Sequence, residues 1–189
     1  NMKQSKTNMA DFGVYLNDKY VSVVSQITYI KKTNYRGNSS FVNPETGESA
    51  RAVVKYDVQT LGWTTDVIFK PCKYFNFHYL LTLQNPQYKN YGGTLTYSTG
   101  TRDYDFNGSC VTGISKVLME IDPAFMYKDF TLTLNARYFG KQYANLSNTL
   151  TFASHWETFG RASYKFTNFL SGYIGVVNIL NQRGAKSTI

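Results

Sequence analysis

Two histidines, two nearby carboxylates and two cysteines are the residues of this chain with the most reactive side chains. His78 lies in the run Lys73–Leu80, where Phe77, Tyr79, Leu81 and Leu83 alternate with Asn76, His78, Thr82 and Gln84. That places His78 on the polar side of a strand, and His155 opens a later one. Neither has the helical histidine partner four residues away that a zinc protease uses. Glu120 and Asp122 share a face and are two residues apart, a spacing open to acid–base chemistry, yet Lys116 on the same face offers ion pairing instead. The chain has no nucleophile elbow, phosphate-binding loop or dinucleotide fingerprint. No catalytic residue, metal ligand set or cofactor is therefore expected, and the chain is not read as an enzyme.

Cys72 and Cys110 would be free to pair in an oxidising compartment. The strand layout below sets Cys72 at a tight turn and Cys110 at the end of a long link. A span of about 9–11 tilted residues separates those positions, well beyond the ~7 Å reach of a disulfide. Two separate thiols, or a partner outside the chain, are expected. Asn38, Asn107 and Asn145 each open a glycosylation triplet, a pattern that arises by chance in a chain rich in Ser and Asn.

Eight segments alternate with the period of two expected of strands and are rich in Tyr, Phe, Val, Ile and Thr. They run over about 10–16, 20–32, 58–70, 74–84, 112–127, 130–141, 151–166 and 169–181. Val21, Val23, Ile27 and Tyr29 oppose Ser22, Gln26 and Thr28, and Leu61, Trp63, Val67 and Phe69 oppose Gly62, Thr64 and Asp66. Ile121 stands against Glu120, and Tyr164 against Arg161 and Lys165. Ile121, Val67, Leu81 and Val177 are expected on an apolar face, with Glu120, Asp66, Arg161 and Lys165 on the charged one. The connections separate a barrel from a soluble sandwich. Tight turns near Asn17-Asp18, Pro71-Cys72, Lys128-Asp129 and Thr167-Asn168 alternate with long links over 33–57, 85–111 and 142–150. A membrane barrel has this asymmetry, short on one rim and long on the other, whereas links of about 25 residues are out of place inside a compact soluble domain.

Composition agrees. Aromatics make up 16% of the 189 residues, with 16 Tyr and 13 Phe, while charged residues are 17% and mean hydropathy is −0.34. Tyr15, Tyr20, Phe69, Tyr74, Phe125, Tyr127, Phe130, Tyr164, Phe166 and Phe169 gather near the short turns. Tyr29, Trp63, Tyr138 and Trp156 form a sparser second set. Rings banded at both water–lipid boundaries are a barrel signature. No stretch approaches the ~18 apolar residues of a spanning helix. The expected fold is all-β: an antiparallel up-and-down transmembrane β-barrel segment, about eight strands of a larger barrel and an open sheet as a fragment, with Asp11–Leu16 and Ser171–Asn181 at its edges. Asn1–Asp11 lacks the apolar core of a signal peptide, so an export signal is expected to have been removed or to lie upstream. The net charge of +8 is scattered, with Lys31-Lys32 the only adjacent pair, which argues against a nucleic-acid partner.

The run Thr131–Thr149, TLTLNARYFGKQYANLSNT, is similar to a strand and loop of TonB-dependent outer-membrane receptors, and Gly172–Lys186, GYIGVVNILNQRGAK, resembles their penultimate strand with Asn178-Ile179-Leu180-Asn181 at its end. The resemblance is good over the last ~60 residues and loose elsewhere. It implies a barrel of about 22 strands with an N-terminal plug, located in the bacterial outer membrane and importing a scarce nutrient: a metal chelate, a glycan or a peptide. Residues 1–189 would be a partial barrel domain lacking the plug and the final strand. The implied partners are outer-membrane lipid, the TonB–ExbB–ExbD complex through the missing plug region, and a surface lipoprotein. The alternatives are a small passive outer-membrane barrel and a secreted soluble β-sandwich that binds ligands.

The link 85–111 is the candidate ligand-binding region. It sets Tyr88, Tyr91, Tyr97, Arg102, Asp103 and Tyr104 among glycines. Tyrosine on a glycine-rich backbone provides broad contact area at low entropic cost.

Overall fold

The computed structural model describes residues 4–182 and 187–188. Asn1–Lys3, the Arg183–Lys186 end of the family-like run, and Ile189 lie outside the described residues. Among the described residues there is no helix.

One antiparallel sheet of eight strands dominates, and its strands follow one another in chain order apart from hairpin insertions. It contains β1 (Lys6–Asn17), β2 (Val21–Val42), β3 (Ser49–Cys72) and β4 (Phe75–Lys89). β5 (Gly92–Tyr97) and β6 (Gly100–Asp105) form a separate hairpin before the sheet resumes with β7 (Val117–Tyr127) and β8 (Phe130–Phe139). Next come β9 (Gln142–Tyr143) and β10 (Thr151–Phe152), then β11 (His155–Lys165), β12 (Ser171–Val177) and β13 (Ser187–Thr188). β9, β10 and β13 make a small sheet of their own. β1 pairs with β2 and β12 with β11, and the two edges do not pair with each other. Among the described residues the sheet therefore does not close on itself as an eight-stranded barrel, and no second sheet of similar size accompanies it as in a sandwich.

Register keeps the two faces distinct across the whole sheet. Val67 lies opposite Val23 on one side and Tyr79 on the other, and Tyr79 lies opposite Ile121. Ala136 carries this face onward from Ile121 to Thr158. On the reverse face His78 is opposite Asp122, and Glu120 is opposite Arg137, which is opposite Glu157. A one-residue slip at any ladder would exchange the faces beyond it. Ile121 and Glu120 thus point to opposite sides, as do Tyr164 and Arg161.

Val177 departs from the expected side. It lies opposite Phe159, two residues from Arg161, while Val176 lies opposite Gly160 on the apolar face. The run Val176-Val177 has no polar residue to set the phase, so composition could not tell its faces apart.

Strand boundaries also differ: β1 begins at Lys6 rather than 10, β4 runs on to Lys89 rather than 84, and the expected 151–166 strand is divided into β10 and β11. The link 33–57 is largely strand: β2 and β3 continue as a hairpin to Val42 and Ser49, past a bulge between Lys32 and Tyr35. Asn34 takes φ 60° there. The extra residue shifts the alternation by one, which hid the continuation from a period-two reading. β7 begins at Val117 rather than at 112, because Gly113 adopts φ 73° and bonds across to Tyr143. β12 stops at Val177, since Asn178 (φ 54°) turns the chain and closes the Asn178–Asn181 motif through its own side chain, which accepts from the Gln182 amide at 2.8 Å.

Candidate functional site

Beyond the eight-stranded wall, the long-link end of the molecule builds a small core of its own. The β2–β3 extension supplies Phe41, Val54 and Tyr56, and the segment around β5–β6 supplies Tyr88, Tyr91, Tyr104 and Phe106. Tyr56 stacks on Tyr91 at 4.8 Å between centroids and meets Tyr88 edge-on at 5.4 Å. Phe41 stacks on Tyr104 at 4.7 Å. Pairs of this geometry add about 0.5–1.5 kcal/mol beyond the area they bury. Burial pushes the Tyr56 and Tyr91 hydroxyls above the ordinary phenol range, partly offset at Tyr91 by its contact with Ser39 Oγ at 3.1 Å.

Polar clamps tie the hairpins together at their tips. The backbone N–H of Ser98 donates to both Glu48 carboxylate oxygens, at 2.9 and 3.0 Å, and its hydroxyl donates at 2.5 Å. Those donors hold the Glu48 carboxyl below its usual value, the side-chain bond first and the backbone bond second. Arg102 reaches Asn43 and Glu45 in the β2–β3 turn, each at 3.4 Å. Asn107 Oδ1 accepts from the Tyr91 amide at 3.1 Å.

The six candidate residues divide into two groups. Tyr88, Tyr91 and Tyr97 are buried at 6%, 2% and 7% exposure, and the first two stand in the aromatic core with the half-buried Tyr104. Tyr97 ends β5 apart from that cluster. Arg102 and Asp103 are exposed, Asp103 accepting from Thr94 Oγ1 at 2.6 Å. The segment 85–111 is thus a folded hairpin with a tyrosine interior and a charged outer edge, not an extended loop presenting all six side chains. A groove of about 510 Å³ opens beside it, lined by Asn38, Ser39, Ser40, Arg51, Ala52 and Val53.

On the charged face of the wall, single-residue readings missed a continuous belt. His78 Nε2 meets Asp66 at 3.1 Å and Nδ1 meets Asp122 at 3.0 Å. Asn135 Nδ2 donates to Asp122 and to Glu120, and Arg137 reaches Glu120 at 3.2 Å. The belt crosses β3, β4, β7 and β8. The ion-pair partner of Glu120 is Arg137, directly opposite it on the next strand, β8, rather than the Lys116 expected from proximity along the chain. The shared parity of Asp66, His78 and Asp122 was a usable signal, but the strand register was needed to join them. His78 holds its two carboxylates on opposite ring edges, and among the described residues no three His, Cys, Asp or Glu side chains converge on a cation position. Cys72 is exposed at a turn and Cys110 buried in the far loops, both free thiols.

No family model and no curated protein matches the sequence. Solved structures do. The chain superposes on a copper transporter, OprC, with TM-score 0.70 at 11% identity, over 96% of this chain and 27% of that one. It matches the ferric-catecholate import receptor Fiu of K12 E. coli with TM-score 0.64 at 14% identity, over 96% of this chain and 24% of that one. The ferripyoverdine receptor of the outer membrane of Pseudomonas aeruginosa gives 0.63 at 14%, over 94% of this chain and 24% of that one. The fold is the one these transporters and receptors share over this stretch of their chains. At these identities it is the fold that is shared, and the chain spans about a quarter of the length of each of these receptors. In membrane barrels a polar face of this kind lines the lumen and the longer hairpins stand on one rim.

Proposed function

We propose that this chain forms part of the barrel wall and outer loops of a TonB-dependent receptor in the bacterial outer membrane, which imports a scarce nutrient rather than catalysing a reaction. The observation that supports this most is the pairing of an open eight-stranded meander with one apolar and one charged face, in a fold shared with a copper transporter and a ferric-catecholate import receptor. The nutrient is a metal chelate, a glycan or a peptide. Its contact surface is the outer edge of the β5–β6 hairpin, where Arg102 and Asp103 are exposed above the tyrosine core. Tyr88, Tyr91, Tyr97 and Tyr104 act in this reading chiefly by holding that edge. Partners are outer-membrane lipid around the apolar face, the TonB–ExbB–ExbD complex through a plug outside residues 1–189, and a surface lipoprotein at the outer loops.

The test is made on the complete receptor in cells. It should fractionate with the outer membrane, migrate with heat-modifiable mobility, and support uptake that ceases when TonB is deleted. Uptake that survives loss of TonB would sink the active-transport reading. Recovery in the soluble periplasm would sink the barrel.

A further inference from the structure

The four short turns carry an excess of basic charge: Lys19, Lys70, Lys73, Lys128 and Lys165 against Asp18 and Asp129. Three of these lysines lie over tyrosine rings. Lys19 Nζ stands 5.0 Å from the Tyr20 centroid, Lys73 Nζ 4.9 Å from Tyr74, and Lys128 Nζ 5.5 Å from Tyr127. The latter two pairs adjoin. The Met126 amide donates to the Tyr74 carbonyl at 2.8 Å, and the Tyr74 and Tyr127 rings are 5.7 Å apart. Two ammonium groups are thus set over one tyrosine pair. Tyr127 shares the apolar face with Phe125 and Ile121, so the lysines stand at its rim.

Lys128 carries a second signal. It holds φ 52° in a two-residue hairpin turn, a conformation normally given to Gly, Asn or Asp. A lysine kept there despite its backbone cost points to a use for its side chain.

The apolar face continues from this pair into a groove. Phe130 lies opposite Tyr127 on one side and Tyr164 on the other. Beyond it, Ala162, Tyr164, Phe166, Gly172 and Ile174 line a depression of about 390 Å³. Gly172 makes the room: a Cβ there would lie 3.0 Å from the Phe166 ring.

We propose that this rim is a built site for one anionic glycerophospholipid, its phosphate between Lys73 and Lys128 over the Tyr74–Tyr127 pair and an acyl chain in the groove at Gly172. A phosphodiester offers the negative charge that two ammonium groups hold, and the chain offers the apolar surface that the groove leaves uncovered. The inference rests on the barrel reading above.

The experiment is a native mass-spectrometric titration of the complete receptor in detergent, with phosphatidylglycerol and with phosphatidylcholine of the same chains. The wild type should retain phosphatidylglycerol preferentially. K73Q/K128Q should weaken that retention by about fivefold for each lysine removed, while K55Q, at the opposite end, leaves it unchanged. K128G relieves the turn, so it should fold at least as well as wild type, judged by heat-modifiable migration, and still lose about fivefold in retention. Equal retention of the two lipids by wild type, undiminished preference in K128G, or full displacement by inorganic phosphate would overturn the site. A complete receptor absent from the outer membrane would instead overturn the barrel reading and this site with it.

Discussion

Asn148 holds Cys110 with both ends of its amide: the Cys110 N–H donates to Oδ1 at 2.6 Å, and Nδ2 donates back to the Cys110 carbonyl at 3.1 Å. A side chain here replaces a strand partner and ties the 85–111 segment to the 142–150 link across 38 residues. Asn148 does this at φ 57°, so asparagine serves both the backbone and the clamp.

Asn148→Gly separates the two roles, because glycine keeps the backbone and removes the amide. Losing the two hydrogen bonds to Cys110, with a longer one to the Asn145 carbonyl at 3.3 Å, costs about 1–3 kcal/mol locally. Cys110, 8% exposed, should then react with a thiol reagent about tenfold faster or more, with exposed Cys72 as the internal reference. An unchanged Cys110 rate would show that the clamp does not govern opening of this loop.

The faces of the wall can be tested one residue at a time. Arg at Ile121 or Val176, both on the apolar face, should destabilise the complete barrel by about 2–4 kcal/mol near mid-membrane. Arg at Val177, on the Arg161 side, should cost far less. Urea unfolding in lipid vesicles reads the difference, and equal costs at Val176 and Val177 would mean the register of β12 is wrong.

Within the belt, Asp122 joins His78 to Asn135 while Arg137 touches only Glu120 among its acidic neighbours. Asp122→Ala should therefore destabilise by about 1–3 kcal/mol, since it takes one hydrogen-bond partner from each of two polar groups. Arg137→Ala breaks a half-exposed pair and should cost under about 1 kcal/mol. The reverse order, by the same unfolding assay, would locate the strength of the belt at its exposed end.

The Glu48–Ser98 clamp should respond to acid. Its carboxyl is held below the ordinary carboxylate range by the Ser98 hydroxyl and amide. A depressed carboxylate contributes fully above its unfolded value and loses that contribution as pH falls through the folded one. Hydrogen exchange at the Ser98 amide should be slow near neutral pH and lose protection, beyond the intrinsic pH trend, as pH falls below the ordinary carboxylate range. Glu48→Gln should lack this acid step, and an acid step that persists in that variant would assign it to another group.

Arg102→Ala with Asp103→Ala should weaken ligand binding by the complete receptor without altering assembly, because both side chains lie on the exposed edge. Tyr91→Ala, at 2% exposure, should instead cost about 3 kcal/mol of loop stability. Unchanged affinity in the Arg102/Asp103 variant would remove this edge from the binding surface.

By itself the sequence determined the wall. Alternation in runs such as Phe77–Gln84 specifies a two-faced strand because successive side chains point to opposite sides, and the short turns at Lys128-Asp129 and Thr167-Asn168 specify antiparallel neighbours. Such signals are local and survive without knowledge of pairing. The tertiary structure alone decided what depends on register or distant contact. A bulge at Asn34 moved the phase of β2, so the extended hairpin could not be read from period two. Two adjacent valines left the side of Val177 to its pairing with Phe159. The tyrosines of 85–111 read as contact residues by composition, yet Tyr88 and Tyr91 are buried because the β2–β3 extension supplies Val54 and Tyr56 to cover them. Asp66, His78, Asp122 and Asn135 become one belt only when four strands align, since hydrogen bonding acts over a few ångströms and sequence distance does not measure it.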